Sequence, residues 1–287
     1  MGFAEKIAKV ITKHPDVLDN PGRATMIQEA VKNREAILSA NGALTTWTPP
    51  ESTGRSPKDT YIVCRAESEC DIDWDSPNNI PLDPETFDML MEDALHVLSS
   101  KKRLYVTDRT LVADSAYALP IRTVSYWALT ALFTDNMFRP VPSDMEQSMF
   151  ANQAFSLLVV PYDKLDRDRY AGRLRKLPDG QTSNMAVAMD FDRRLGVVFG
   201  SAYAGSVKKL MFTVMNYVLP GVGILPLHCS ANEGPEGDIA LLLGLSGTGK
   251  TSLSADARRA LLGDDEHGWS DNGIANFENG CYAKLIN

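Results

Sequence analysis

The sequence lacks any uninterrupted apolar run of the ~18 residues that a membrane-spanning helix needs, so no such helix is expected. It is also poor in cysteine. Cys64, Cys70, Cys229 and Cys281 are four thiols in 287 residues, with no close pairing of the kind thiolate metal sites use. That spacing excludes a zinc-ribbon type of site and gives no disulfide framework. Positive charge is in deficit, 29 Lys and Arg against 37 Asp and Glu, for a net charge of −8. An acidic chain makes a poor general binder of nucleic-acid backbone or of an anionic membrane. A local basic pocket for a small anion remains open to it. The stretch from Met1 to His14 has no signal-peptide core, because Glu5, Lys6, Lys9 and Lys13 interrupt its apolar positions. No internal repeat, low-complexity tract or Asn-Lys-x-Asp guanine motif is present, which disfavours a regulatory GTPase. A reduced, cytoplasmic setting is the expectation.

What is present is ordinary globular material. Apolar residues are 44% and charged residues 23% of the chain, and the length suits about two domains of ~100–200 residues each. Helical periodicity occurs at Phe3–Lys13, at Ala24–Ala40 before Asn41-Gly42, from Asp83-Pro84 through Leu98, and at Val207–Leu219 before Pro220. Strand-like runs are Tyr61–Cys64, Arg103–Thr107, Phe155–Val160, Met185–Phe191, Leu195–Phe199, Gly223–Leu227 and Asp238–Gly244. Asp192-Arg193-Arg194 reads as a hairpin turn and Asn232–Gly237 as a turn-rich connection. The acidic stretch Cys70–Asp83 reads as a solvated loop, since the glycine and closing glutamate of a calcium loop are missing. Strands and helices mix throughout, so the expected class is α/β. More specifically, a mixed α+β N-terminal domain (1–222) precedes the first part of a P-loop mononucleotide-binding domain (223–287).

One motif is complete. Gly244-Leu-Ser-Gly-Thr-Gly-Lys250-Thr251 satisfies G-x-x-x-x-G-K-[ST], between an apolar strand at Ile239–Leu243 and a helix expected over Ser252–Arg259. Gly244, Gly247 and Gly249 let backbone N–H groups curl around phosphate oxygens, with Leu245, Ser246 and Thr248 completing the loop. Lys250 would reach the β- and γ-phosphates, and the Thr251 hydroxyl would ligate Mg²⁺. Behind the apolar pair Leu261-Leu262, Gly263-Asp264-Asp265 offers carboxylates for a metal beside those phosphates.

Other stretches are chemically suggestive but ambiguous alone. Thr53–Asp59 is a polar turn in which Arg55 could grip a carboxylate bidentately. The segment Ala204–Lys209, with Lys208-Lys209, precedes a helix, and Leu227–Asn232, with His228, ends a strand. Each of these has an ordinary reading, as a solvated lysine pair and a packed histidine.

Together these segments resemble the ATP-dependent phosphoenolpyruvate carboxykinase family. The resemblance rests on TGRSPKD at Thr53–Asp59, YAG…KK at Tyr203–Lys209, FTVMNYVLP at Phe212–Pro220 and HCSAN at His228–Asn232. It continues through GLSGTGKTSLSAD at Gly244–Asp256, LLGDDEHGWSD at Leu261–Asp271 and CYAK at Cys281–Lys284, with Arg122 and Asn136–Pro140 also familiar. It implies a lyase of gluconeogenesis that converts oxaloacetate and ATP to phosphoenolpyruvate, CO₂ and ADP, working as a monomer on a small-molecule substrate without nucleic acid or membrane. It implies Mn²⁺ on Lys209, His228 and Asp265, and Mg²⁺ with the nucleotide at Thr251. Arg55 and Tyr203 would lie at the substrate and CO₂ end, Lys208 between substrate and γ-phosphate, and Ser246 and Lys250 near the transferring phosphoryl group. A lysine ligand must lose its proton to donate a lone pair, which partial burial, the adjacent Lys208 and the metal itself favour. Mixed N/O ligands suit Mn²⁺.

The chain departs from the family's usual residues at Ala202, Ser206-Val207, Glu233 and Asn279. The family also continues well past the position of Asn287, with a further substrate arginine, the adenine pocket and a lid, so a truncated chain is the expectation. Two other readings stay open: a carboxykinase-derived module that binds nucleotide or metal without catalysis, and an unrelated P-loop kinase of small molecules.

Overall fold

The computed structural model describes residues 2–245, 248–280 and 282. The chain forms two compact units, each assembled from three segments. The first comprises Met1–Asp108, Ile121–Asp135 and Gln153–Met211, and the second Arg109–Pro120, Asn136–Asn152 and Phe212–Asn287.

The first unit begins with α1 (Phe3–Lys13), which buries Phe3 and Ile7 and leaves its lysines outside. Strand β1 (Val17–Asp19) leads to α2 (Arg23–Lys32). The periodicity that suggests a helix through Ala40 is cut short here. Arg34 takes a left-handed φ of 60°, and Glu35 turns inward with 3% exposure. The residues beyond form a small hairpin, β2 (Ile37–Leu38) and β3 (Leu44–Thr45), with Gly42 at φ 83° in its turn. Asn41-Gly42 is therefore a hairpin signal, not a helix stop.

Strands β4 (Thr60–Val63) and β5 (Ile80–Leu82) follow, so the tail of the expected acidic loop is in fact a strand. Helix α3 (Pro84–Ser100) opens as its sequence specifies: the Asp83 carboxylate accepts from Thr86 N at 2.9 Å and Pro84 occupies the first turn. Its stripe of Phe87, Leu90, Met91, Ala94, Leu95 and Leu98 is buried against the sheet. Each Phe, Leu or Met of that stripe contributes roughly 1.5–3 kcal/mol of burial. Next come β6 (Leu104–Leu111), β7 (Leu119–Ser125), α4 (Ala128–Met137), β8 (Phe155–Val160), β9 (Ala186–Asp190), β10 (Leu195–Phe199) and α5 (Gly205–Val218).

The eight-stranded sheet has the order β1-β6-β7-β8-β10-β9-β4-β5. β1/β6, β7/β8, β8/β10, β9/β4 and β4/β5 pair in parallel, whereas β9 and β10 form the antiparallel hairpin expected around Asp192–Arg194. Every residue of β9 and β10 is buried, the pattern of strands covered on both faces. The α/β class read from the sequence holds.

The second unit contains the ends of several of these elements and a five-stranded sheet of its own. Its strands are β11 (Leu225–Glu233), β12 (Ile239–Leu243), β13 (Ala260–Gly263), β14 (Glu266–Ser270) and β15 (Gly273–Asn276), with α6 (Lys250–Ser254) between β12 and β13. The order is β12-β11-β14-β15, and β13 also pairs with β11. Phe212 and Phe277 meet edge to face, with centroids 5.9 Å apart, and Tyr117 Oη donates to Gly268 O at 3.2 Å. Among the described residues no helix is long and apolar enough to cross a membrane.

Two buried carboxylates give the first unit measurable signatures. Asp59, fully buried, accepts from Arg175 Nε and Nη2 at 2.9 and 2.5 Å and also from Ser56 Oγ. Asp59→Ala removes the buried acceptor of the part-exposed Arg175 guanidinium. The expected loss is about 2 kcal/mol in urea unfolding, the scale of hydrogen bonds to a charged group. A loss within experimental error would refute the pair's structural role. For Glu35, burial raises the carboxyl above its ordinary value of 4.5, outweighing hydrogen bonds from Leu129 N and Asn33. The folded state then binds the proton more tightly than the unfolded state, so stability falls as pH rises from about 4.5 through the raised value. Glu35→Gln should flatten that part of the stability–pH curve, measured by unfolding at stepped pH.

Candidate active site

The phosphate loop lies between β12 and α6. Gly249 stands at φ 96°, a backbone state that a side chain disfavours, and leads directly into α6. A Cβ on Gly244 would fall 2.7 Å from Thr248 Oγ1, so close packing also requires glycine there. Thr248 Oγ1 donates to Leu245 O at 2.7 Å, and Lys250 Nζ donates to Gly244 O and Leu245 O at 2.7 and 3.0 Å. The ammonium is thus held over the loop by carbonyl oxygens. Ser246 and Gly247 lie outside the described residues. The helix expected over Ser252–Arg259 ends at Ser254. The chain then turns because Asp256 accepts from Arg258, and Arg259 reaches back to Asn232 Oδ1 at 2.7 Å and Asp238 Oδ2 at 2.8 Å.

The acidic side of the site is built by β13, β11 and β14. The run Ala260–Gly263 ends at a glycine whose Cβ would strike Asn276 Nδ2 at 2.3 Å and His267 Nε2 at 2.8 Å. Asp264 and Asp265 follow, with the Asp264 carbonyl held by Ser230 Oγ at 3.0 Å. His228 Nε2 lies 2.7 Å from Asp265 Oδ1. His228, Gly249, Lys250, Thr251, Ser252, Asp264 and Asp265 line one open cleft of about 300 Å³. Residues of the G-x-x-x-x-G-K-T motif and carboxylate groups therefore share one open cleft.

The donor set fits a divalent cation. One donor atom each from His228, Asp265 and Glu266 lie within 4.8 Å of one another, a mixed N/O group of the kind Mn²⁺ accepts. Three successive carboxylates beside a phosphate loop would repel a nucleotide's phosphates unless positive charge stood between them. The neighbouring thiol is not a competing ligand. Cys229 is buried, and burial pushes its pKa up to about 11. His267, also buried, has Nδ1 3.0 Å from Cys229 O. A carbonyl can only accept, so Nδ1 carries the proton and burial keeps the ring's pKa below its ordinary value.

The remaining sequence-predicted residues belong to the first unit. Arg55 is exposed on its turn. That turn is fixed from below by Asp59–Arg175, and Ser52 Oγ accepts from Ala202 N at 3.3 Å, which brings the YAG segment against it. Tyr203 and Lys209 are half-buried, and Lys208 is 7% exposed within the first turns of α5. Arg122 is paired bidentately with Asp108 at 2.7 and 2.9 Å. Within the second unit, His228, Asp265, Lys250 and Thr251 come together. Glu266, Ser230 and Asn232 are additions that motif reading left without a role. The alternation along HCSAN, which places His228, Ser230 and Asn232 on one face of a strand, was the available signal.

Comparison with known proteins identifies a family. The sequence pattern of the phosphoenolpyruvate carboxykinase family matches residues 15–287. The chain is similar to proteins named phosphoenolpyruvate carboxykinase (ATP) in several bacteria. It is 46% identical to that of Rhizobium rhizogenes over 262 residues, covering 91% of this chain and 46% of that protein. For Geobacillus kaustophilus the identity is 43% over 289 residues, covering 100% and 52%. For Rubrobacter xylanophilus it is 44% over 271 residues, covering 94% and 48%. The chain spans about half the length of the curated relatives it matches. With the family pattern running from residue 15 to residue 287, the chain belongs to the ATP-dependent phosphoenolpyruvate carboxykinase family.

Proposed function

We propose that this chain carries the substrate-, metal- and phosphate-binding groups for ATP-dependent conversion of oxaloacetate to phosphoenolpyruvate, CO₂ and ADP. The observation that carries the reading is the single cleft in which His228 and Asp265 face Lys250 and Thr251. A metal-ligand pair beside a phosphate loop suits a reaction that joins decarboxylation to phosphoryl transfer. The names of the curated relatives support the same substrate and nucleotide.

In this reading Arg55 grips a substrate carboxylate through its planar fork, and Tyr203 lies at the CO₂ end. His228 and Asp265, with Lys209, would hold Mn²⁺, and Thr251 would hold the nucleotide's Mg²⁺. Bound there, the ions would supply Lewis acidity to the keto oxygen and the phosphates. Cleavage of the carboxylate C–C bond releases CO₂ and leaves its electron pair as an enolate. The enolate oxygen then attacks the γ-phosphorus, and the bond to the bridging oxygen breaks to release ADP. One oxygen serves both half-reactions. Lys250 and Lys208 offset the charge that spreads over the phosphoryl oxygens, and the loop, Ser246 included, orients them. The small number and wide spacing of the four cysteines suit a reducing, cytoplasmic setting.

The test is production of phosphoenolpyruvate from oxaloacetate and ATP with Mn²⁺ and Mg²⁺, followed by a coupled assay. Turnover is expected when this chain is joined to the C-terminal half of a family relative, abolished by a chelator, and reduced roughly 10²–10³-fold by Lys250→Met, the scale for removing one group that stabilises developing charge. A folded, metal-loaded protein extended in this way that makes no phosphoenolpyruvate overturns the reading.

A further inference from the structure

Helix α6 is too short to hold its own direction. It has five residues, Lys250–Ser254, and isolated helices shorter than ~12–15 residues are marginal in water. Its last carbonyls need partners from beyond the helix. The Thr251 carbonyl accepts from Ala255 N and from Ser254 Oγ, both at 3.1 Å. The Ser254 carbonyl accepts from Asn232 Nδ2, also at 3.1 Å, and both of these residues are buried. Asn232 thus ties to β11 the end of the helix that lies away from Lys250.

The Asn232 amide has an acceptor end and a donor end of nearly the same shape, so packing alone does not orient it. Arg259 removes the choice. Its Nε lies 2.7 Å from Asn232 Oδ1, and a guanidinium only donates. The amide oxygen must face Arg259, which leaves the NH₂ group to face Ser254 O, an acceptor only. The guanidinium is aimed in turn from its other side. Nη1 donates to Asp238 Oδ2 and Nη2 to Asp238 O, both at 2.8 Å. A Cβ on Gly234 would strike both the Asp238 carboxylate and the guanidinium, so the fork has little room to turn. The Asp238 side chain is 60% exposed, and an ion pair that open to water adds little stability. What the fork supplies is direction.

We propose that Arg259 is a positioning residue for the phosphate loop: by orienting the Asn232 amide it holds α6, and with it Lys250 and Thr251, at the angle from which they meet a triphosphate. This rests on the phosphate-binding reading above and adds to it a residue outside the loop motif.

The experiment is titration calorimetry of Mg²⁺-tripolyphosphate into the full chain, a probe that needs no base or ribose contacts and no turnover. Parent, Arg259→Met, Arg259→Lys and Asn232→Asp proteins are compared, each shown folded by a cooperative thermal melt. Arg259→Met keeps the length of the side chain without a donor, and the Kd is expected to rise roughly tenfold, the scale of one hydrogen bond to a charged group. Arg259→Lys restores a donor to Asn232 Oδ1 and should recover most of that loss. Asn232→Asp leaves Arg259 an acceptor but sets a carboxylate oxygen against the Ser254 carbonyl, so it should bind as weakly as Arg259→Met. A parent-like Kd in either Arg259→Met or Asn232→Asp overturns the inference and leaves the phosphate loop standing. So does an Arg259→Lys protein no better than Arg259→Met, because the donor to the amide would then not matter. If the parent itself binds no tripolyphosphate, the inference and the phosphate-binding reading both fall. Should Arg259→Met not fold, Asn232→Asp decides on the same terms.

Discussion

Strand β11 is hydrogen-bonded along both edges, and the arrangement of the second unit follows from that. Cys229–Glu233 pairs with β12 on one side, while Leu225–His228 pairs with β14 and Ala231–Glu233 with β13 on the other. A register shift between Ala231 and Asn232 accommodates the second partner. Successive residues alternate faces, so His228, Ser230 and Asn232 all look the same way. His228 meets Asp265, Ser230 holds the carbonyl of Asp264, and Asn232 Nδ2 donates to Ser254 O at the end of α6. Three side chains of one strand thus locate a metal-type ligand, the acidic loop and the helix that carries the phosphate loop. Cys229 and Ala231, between them, are buried. Slippage by one residue would exchange those two sets, so the register of this strand fixes which side chains meet the acidic loop and α6.

The electrostatics depend on the same strand. Asp264, Asp265 and Glu266 lie in succession beside a loop adapted to phosphates. At ~4 Å and an effective dielectric constant of ~20, two unit charges interact by about 4 kcal/mol. Like charges at that spacing disfavour nucleotide binding unless a cation intervenes, and Lys250 is partly engaged by the carbonyls of Gly244 and Leu245. A divalent ion between the acidic groups and the loop would relieve that repulsion. That constraint also reconciles the net charge of −8 with an anionic ligand, because positive charge is needed at one cleft and not over the surface.

Much of this was legible in the sequence, for identifiable reasons. The phosphate loop reads directly because its glycines answer backbone demands, as Gly249 at φ 96° and the tight contact at Gly244 attest. The cap at Asp83-Pro84 and the fully apolar β10 are also local signals, and both elements formed where expected. Ala24–Ala40 misled because apolar spacing continues past the point where Glu35 is drawn into the interior by Leu129, nearly a hundred residues away. The helix after Lys250 was read too long for a similar reason, since Arg259 is claimed by Asn232 and Asp238. Glu266 could not be singled out from its neighbours by composition, as only the pairing of β14 with β11 sets it opposite His228.

The positions at which this chain departs from the family's usual residues are informative in the same terms. Ser206 is buried and shares a 3.0 Å hydrogen bond with Ser201 Oγ, an uncharged pair where a glutamate would have to place a carboxylate. Neutral partners in a buried site cost less to desolvate than an ion, so the exchange keeps the start of α5 in place without a counter-charge. Ala202 engages Ser52 through its backbone N–H, an interaction indifferent to the side chain. Asn279 likewise uses its backbone, donating to Met137 O at 2.9 Å. Glu233 ends β11 opposite Ile239 and Ala260, five residues along the strand from His228. Each departure falls on a group that supports the backbone or closes a strand. None falls on His228, Asp265, Lys250 or Thr251, so the changes alter how the scaffold is held while the cleft's charge pattern is retained.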